Sequence, residues 1–352
     1  MRDAYLALIR GQRRGAVAGL AKLGLRTIAI PYGWGVRLRN LAFDRGWKAS
    51  VQADVPVVSV GNLTLGGTGK TPCVEYLARW FRERGVQVAI LSRGYGAEQG
   101  PNDEALVLEE NCPDVPHLQG SDRAALAKTA VEELESELLI LDDGFQHRRL
   151  RRDLDLVLID ATCPWGHGYL FPRGLLRESS TSLRRAHAVL ITRCGAATPE
   201  AVQAVRRDIE QAAPGLAIIE SDHQPAAWVN SAQEQKPANA FHGQAVAGFC
   251  GLGNPDAFRR TLTDLGCDVT AWRTFPDHYA YARSDIEDLR AWARALPAGA
   301  IVATTQKDLV KIRLDRIGER ELWALKIELA IRSGQEALDR LLEKTLGAAT
   351  DV

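Results

Sequence analysis

Residues 57–71 read Val57-Val58-Ser59-Val60-Gly61-Asn62-Leu63-Thr64-Leu65-Gly66-Gly67-Thr68-Gly69-Lys70-Thr71. The β-branched start predicts a buried strand, and residues 70–84 carry a helical pattern. A strand that turns through glycines into a helix is the setting in which a phosphate loop works. Glycines let successive backbone N–H groups converge on phosphate oxygens, and the helix N-terminus adds the positive end of its dipole. Thr64, Leu65, Gly66, Gly67, Thr68, Gly69, Lys70 and Thr71 are therefore the candidate nucleotide-binding residues. Lys70 is expected on the β- and γ-phosphates, and the Thr71 hydroxyl on Mg²⁺.

Working outward, residues 138–143 (LLILDD) are apolar and then acidic. An acid at the C-terminal end of such a strand faces the ligand crevice of an open α/β sheet, so Asp142 and Asp143 are candidate Mg²⁺ carboxylates. Further strands are expected at 86–91, 154–160, 188–192 and 216–220, with helices at 122–135 and 199–212 between them. The alternation predicts an α/β fold: a phosphate-loop NTPase-type domain with a mostly parallel sheet, and a second, smaller α/β domain. The first is expected over 51–221. A polar linker is expected over 222–242, and the second domain over 243–352, with strands at 245–250, 269–272, 301–305 and 322–327 and helices at 255–265 and 284–295. The GGxGKT core at 66–71 also resembles the deviant loops of partition and nitrogenase-type ATPases, although Leu65 stands where those carry an extra lysine.

The chain of 352 residues has no net charge, so bulk charge names no partner, but the charge is unevenly spread. Residues 1–50 hold ten Lys or Arg and two acids, Asp3 and Asp44. In the same segment Val17, Leu20, Ala21, Gly24 and Ile28 share one helical face, Lys22 and Arg26 share another, and Trp34 and Trp47 lie near. A basic, amphipathic, Trp-bearing helix suits a membrane interface, and it also suits a surface helix packed on the core. No cleavable leader is expected, because Arg10, Arg13 and Arg14 interrupt the apolar run. No span is expected either, because Lys22, Arg26 and Pro31 break residues 15–35. The six cysteines form no CxxC pair and read as buried singletons of a reducing compartment.

The reaction type comes from a resemblance. Residues 57–72 (VVSVGNLTLGGTGKTP), 91–96 (LSRGYG), 141–150 (LDDGFQHRRL), 171–178 (FPRGLLRE), 251–255 (GLGNP), 276–278 (PDH) and 304–311 (TTQKDLVK) stand in the order seen in the tetraacyldisaccharide 4′-kinase (lipid A 4′-kinase) family. The resemblance implies that ATP, with Mg²⁺, donates its γ-phosphoryl group to the 4′-hydroxyl of an acylated glucosamine disaccharide 1-phosphate. It implies a site between two α/β domains at the cytoplasmic face of the bacterial inner membrane. No nucleic acid and no obligate protein partner are implied. It points to Asp103, in Asn102-Asp103-Glu104-Ala105, with His278 of Pro-Asp-His, as the catalytic pair; Asn102 and Ala105 replace the family's Gly and Pro. An Asp–His pair is a sensible general base, because the carboxylate fixes the tautomer and raises the basicity of the ring. Glu178 is implied as an acid near the metal, Arg177 as a phosphate clamp, and Arg93 as a contact to the anionic substrate. Gln146 and His147 are expected to support or contact the substrate. The run Arg148, Arg149, Arg151 and Arg152 reads either as a solvated face or as a seat for the substrate's 1-phosphate or lipid head groups.

Two rivals use the same residues. Thr305-Gln306-Lys307-Asp308 loosely mimics a guanine-reading [NT]KxD motif, which would make the protein a nucleotide switch. A kinase acting on a different glycolipid or a soluble sugar would keep the phosphate loop and change only the acceptor.

Overall fold

The computed structural model describes residues 2–94 and 103–350. The chain opens with α1 (Arg2–Ile9) and the long α2 (Ala16–Asp44). Then come β1 (Val57–Asn62), α3 (Lys70–Arg82), β2 (Val88–Ser92), α4 (Asp103–Asn111), β3 (His117–Gln119), α5 (Arg123–Leu134), β4 (Leu138–Asp142), β5 (Leu154–Asp160), β6 (Ala188–Thr192) and α6 (Pro199–Ala212). After these run β7 (Ala217–Val229), β8 (Gln235–Pro237), β9 (Ala245–Cys250), α7 (Pro255–Asp264), β10 (Asp268–Thr274), α8 (Arg283–Arg294) and β11 (Ile301–Thr305). The chain ends with α9 (Gln306–Ile312), β12 (Arg316–Ile317), β13 (Arg320–Ser333) and α10 (Gln335–Thr350).

The described residues form two compact units, one drawn from 1–93, 114–222 and 330–352, the other from 94–113 and 223–329. The chain leaves the first unit within β7 and returns to it within β13. In the first unit the strands pair in the order β7-β6-β5-β1-β4-β2-β3, every pair parallel. Every residue of β1, β2, β4, β5 and β6 is buried, as expected for strands covered on both faces by crossover helices. Gly61 is required where β1 passes the turn after β4: an added Cβ would lie 2.5 Å from Phe145 Cβ.

In the second unit β10-β9-β11-β13 are parallel, and β12 turns back antiparallel on β13. Phe249, Leu289, Val302, Leu309 and Leu322 fill one core there, and Trp228, Phe241, Phe258 and Trp323 another.

The domain boundaries expected from the sequence need correction at three points. Residues 222–242 are not a linker: β7 runs on to Val229, and β8 pairs with it antiparallel. The polar residues between the two strands build the turn, where the Asn230 side-chain oxygen accepts from the Ala232 and Glu234 amides. The second unit does not reach the C-terminus. Residues 330–352 belong to the first unit, where Trp80 Nε1 donates to Asp339 of α10 at 3.1 Å. Residues 94–113, with α4, belong to the second unit.

The N-terminal segment is helical, with its apolar face outward. Val17, Leu20, Leu23, Ile28, Ile30, Trp34, Leu38 and Leu41 of α2 are exposed, Trp34 at 64%. Ala18 and Gly33 are buried on the opposite side. Among the described residues no helix is long and apolar enough to cross a membrane.

Candidate active site

In the first unit the glycine loop is held at both ends. Its entry is clamped by residues 175–177: the Leu65 amide donates to Leu175 O, and the Arg177 amide to Leu63 O, both at 2.7 Å. Thr64, where a stricter loop has Gly, is buried and bridges Leu176. At its exit Gly69 takes the left-handed conformation (φ 88°) as N-cap of α3, and no side chain caps that helix. The first-turn N–H groups are thus left to an anion. Leu65, Gly66 and Gly67 are exposed, while Thr68 is buried and its hydroxyl receives Asn62 Nδ2 at 3.0 Å.

Three of the expected site residues meet here. Lys70 Nζ lies 3.4 Å from Asp143 Oδ1, and Arg177 Nη1 donates to Asp143 Oδ2 at 2.7 Å and to Oδ1 at 2.9 Å. Burial pushes the Asp143 carboxyl up, but Lys70 and Arg177 outweigh it and hold the group below the usual carboxylate range. Asp143 sits at positive φ (53°), just past the end of β4. Gln146 braces the same corner, donating to Asn62 O at 2.9 Å and accepting from Arg177 at 3.3 Å. His147 is held neutral: burial, then Arg123, Arg152 and Arg149, bring it down to about 4.

Thr71 and Asp142 are both buried, one in the first turn of α3 and the other at the end of β4. Asp142 lies close enough to that turn that its charge, after burial, raises the Cys73 thiol to about 12. A hydroxyl and a carboxylate are hard oxygen donors of the kind that suits Mg²⁺, whose other positions are ordinarily filled by phosphate oxygens and water. Among the described residues no three His, Cys, Asp or Glu side chains form a metal cluster.

Glu178, the fourth residue expected at the metal, is bonded to other side chains. It is fully buried, and both its oxygens are taken: Oε1 by Arg39 Nη2 at 3.0 Å, and Oε2 by Asn40 Nδ2 at 2.9 Å, Ser182 Oγ at 2.8 Å and Arg185 Nη2 at 2.9 Å. Its charge is thus met by two guanidinium groups, an amide and a hydroxyl. Arg93 is exposed just beyond the C-terminal end of β2. Tyr95, Gly96 and Asn102 lie outside the described residues.

Arg148, Arg151, Arg152, Arg185, His187 and Ser50 line a cleft of about 230 Å³. Arg148 pairs with Asp44 at 2.7 Å, Arg152 with Asp155 at 2.6 Å and Arg185 with Glu178. Among the described residues no acid is paired with Arg151.

In the second unit Asp103 and His278 meet. His278 Nδ1 lies 2.9 and 3.0 Å from the two carboxylate oxygens. The hydrogen bond that His278 Nδ1 donates to Asp103 raises the His278 pKa against the opposing effect of burial. Burial pushes the buried Asp103 carboxyl up, but the His278 bond, Lys307 and Lys311 bring it down to about 2. Lys311 Nζ is 3.6 Å from Asp103 and 3.5 Å from Asp308.

Asp308 orders this site. It is fully buried and accepts from the Gly251 amide at 3.0 Å, Thr305 Oγ1 at 2.7 Å and Tyr281 Oη at 3.0 Å. It therefore ties residues 251–255, 276–281 and 304–311 into one corner and is not free to read a guanine base. Lys307 bonds Glu104 at 2.8 Å, and the Gln306 and Asn111 amides bond reciprocally, so α9 carries α4 and sets Asp103 in position. Sequence reading singled out neither Lys311 nor the Lys307–Glu104 pair. Their one sequence signal is residence in TTQKDLVK and beside Asp103.

Residues 21–347 match the family model described as Tetraacyldisaccharide-1-P 4'-kinase. A "Tetraacyldisaccharide 4'-kinase" of Anaeromyxobacter sp. (strain K) is 39% identical, covering 96% of this chain and 94% of its own. One of Syntrophus aciditrophicus (strain SB) is 38% identical over 82% and 83%. The crystal structure of LpxK from Aquifex aeolicus in complex with ATP is similar with a TM-score of 0.74 at 29% identity, covering 92% of this chain and 99% of that one.

Proposed function

The chain belongs to the Tetraacyldisaccharide-1-P 4'-kinase family, and on that premise we propose that it transfers the γ-phosphoryl group of ATP to the 4′-hydroxyl of tetraacyldisaccharide 1-phosphate, a lipid A precursor. One observation carries the reading: Lys70 and Arg177 converge on Asp143 beside a glycine loop whose helix N-terminus no side chain caps. Phosphoryl transfer asks chiefly for positioning and charge neutralisation, and this corner supplies both.

The first unit holds the donor. Backbone N–H groups of residues 66–71 cradle the phosphates, Lys70 neutralises the β- and γ-phosphates, and Arg177 swings its charge between Asp143 and the transferring group. Thr71 and Asp142 would hold Mg²⁺, which when bound would neutralise phosphate charge. The second unit supplies the base. Asp103 fixes the proton on Nδ1 of His278, so Nε2 is free to take the proton of the acceptor hydroxyl. The new P–O bond forms at that oxygen, the bond to the β-phosphate oxygen breaks, and ADP leaves. The outward apolar face of α2 lies on the membrane surface, at the cytoplasmic side of the inner membrane, and presents the lipid. The arginine cleft, with Arg151, receives the acceptor's 1-phosphate, and Arg93 lies on the path of the anionic substrate.

The test is transfer of label from γ-labelled ATP to tetraacyldisaccharide 1-phosphate in mixed micelles with Mg²⁺. A labelled lipid that is lost in Lys70→Ala is the expected result. Protein that binds ATP yet labels no lipid would move the assignment to another acceptor.

A further inference from the structure

Glu178 is a carboxylate without a solvent path, and its four partners come from two different places. Ser182 and Arg185 follow it closely in sequence, whereas Arg39 and Asn40 belong to α2. The same helix touches the neighbouring residues of that segment twice more. Tyr32 Oη donates to Arg177 O at 3.1 Å. Gly33 packs so closely that an added Cβ would lie 2.9 Å from Leu170 Cδ1. These residues are on the inward side of α2, away from the exposed Leu20, Leu23, Trp34 and Leu38.

The other side of the segment faces the phosphate loop. Leu175 O and the Arg177 amide bond the loop at Leu65 and Leu63, and the Arg177 guanidinium holds Asp143. Two adjacent side chains thus go to different partners: Arg177 to Asp143, Glu178 to α2.

We infer that Tyr32, Arg39 and Asn40, acting through Glu178 and the backbone of Arg177, are positioning residues that link the outward-apolar helix α2 to the phosphate loop. Glu178 serves as the anchor of that link and not as a ligand of the metal. A helix that shifts against residues 175–178 moves the strand-like clamp on Leu63 and Leu65 and the guanidinium on Asp143 together, because all three belong to one short backbone stretch. The inference deepens the kinase reading and rests on α2 being the helix that meets lipid. It makes the seating of that helix a determinant of turnover as well as of location.

The link is tested from the helix side, with Arg39→Ala combined with Asn40→Ala, and separately with Glu178→Gln. In the label-transfer assay the helix-side pair should lower kcat about tenfold while the KM for ATP and the half-saturating Mg²⁺ stay within twofold, a size in line with measured coupling through packed networks. Adding Glu178→Gln to that pair should cost little more, since residues acting as one unit are not additive. Wild-type kcat in the helix-side pair overturns the inference. So does a tenfold rise in Mg²⁺ demand in Glu178→Gln, which would make that residue a metal ligand. Hydrogen exchange reads the same link with no lipid acceptor. Amides of residues 63–67 should exchange about tenfold faster in the helix-side pair, as local opening becomes easier, and unchanged exchange overturns the link. A wild-type protein that labels no lipid would sink the proposed reaction, while the exchange result would still decide this inference. Because Arg39 is 36% exposed, the helix-side pair keeps the test available if Glu178→Gln fails to fold.

Discussion

Asp143 in the first unit and Asp103 in the second are both carboxylates held below their ordinary range, but by partners of different kinds. Asp143 faces the cationic side chains of Lys70 and Arg177. Asp103 faces His278, whose charge does change near neutrality, with Lys307 and Lys311 behind it. The first arrangement makes a fixed electrostatic frame for phosphates. The second makes a group that can give and take a proton. The difference in partner chemistry suits one region to the proposed donor binding and the other to the proposed proton transfer.

The comparison is broken most severely by Lys70→Ala, which leaves Asp143 to Arg177 and Arg123 and should lower transfer by about 10³-fold, the scale of losing one electrostatic stabiliser in a preorganised site. Label transfer at saturating ATP measures it, and activity within tenfold of wild type would remove Lys70 from the phosphate frame.

Asp308→Ala attacks the support of the other region. It strips the acceptor from the Gly251 amide, Thr305 and Tyr281 at once, all of them buried or half-buried, and should cost about 3 kcal/mol of stability. Denaturant unfolding would read this, with the loss confined to the second unit's transition. A loss below 1 kcal/mol would mean that the corner is held by packing and not by Asp308.

Asp103→Asn should lower kcat about 10²-fold, the usual worth of a general base, and leave the KM for ATP unchanged. It also sharpens the contrast in pH response. His278 must be neutral to accept a proton, so wild-type activity rises as pH climbs through its raised pKa. Without the Asp103 charge that limb should move to lower pH, back toward the ordinary 6.5. The linkage to stability runs accordingly. The contribution of the raised His278 is full below 6.5 and fades as pH rises through its folded value. That of Asp103 is full above 3.8 and fades as pH falls toward about 2. A limb that stays where it is in Asp103→Asn would dissociate the pair.

The smallest effect is expected outside both regions. Trp34→Glu should weaken binding to anionic vesicles about tenfold by setting a charge on the apolar face proposed to enter the interface. Co-sedimentation reads it, and unchanged binding would return α2 to a surface helix with no lipid role.

Different parts of the molecule were legible to different depths. The stretch 57–71 was readable because strand, loop and helix are contiguous there, and the acids at 142–143 because they end an apolar run that reads as a strand. Asp103 and His278 emerged from motif resemblance alone, 175 residues apart, and spacing gave no reason to join them. The polar segment 222–242 misled because turn residues and linker residues have the same composition. What distinguishes them is a strand pairing that only the fold supplies. Glu178 was legible only as a motif acid beside an arginine; its partners Arg39 and Asn40 lie 139 and 138 residues away.

For this protein the sequence by itself determined the α/β class, the glycine loop between strand and helix, and the kinase family, because each is written in local pattern or in ordered motifs. Tertiary structure alone decided which unit owns α4 and α10, that Asp308 and Lys311 stand behind the Asp103–His278 pair, that α2 turns its apolar face outward, and that Glu178 anchors that helix. The reason is physical. Periodicity tells which side of an element is apolar and glycines tell where backbone must turn, but neither records which distant donor will meet a buried carboxylate, and a buried carboxylate takes its role from those donors.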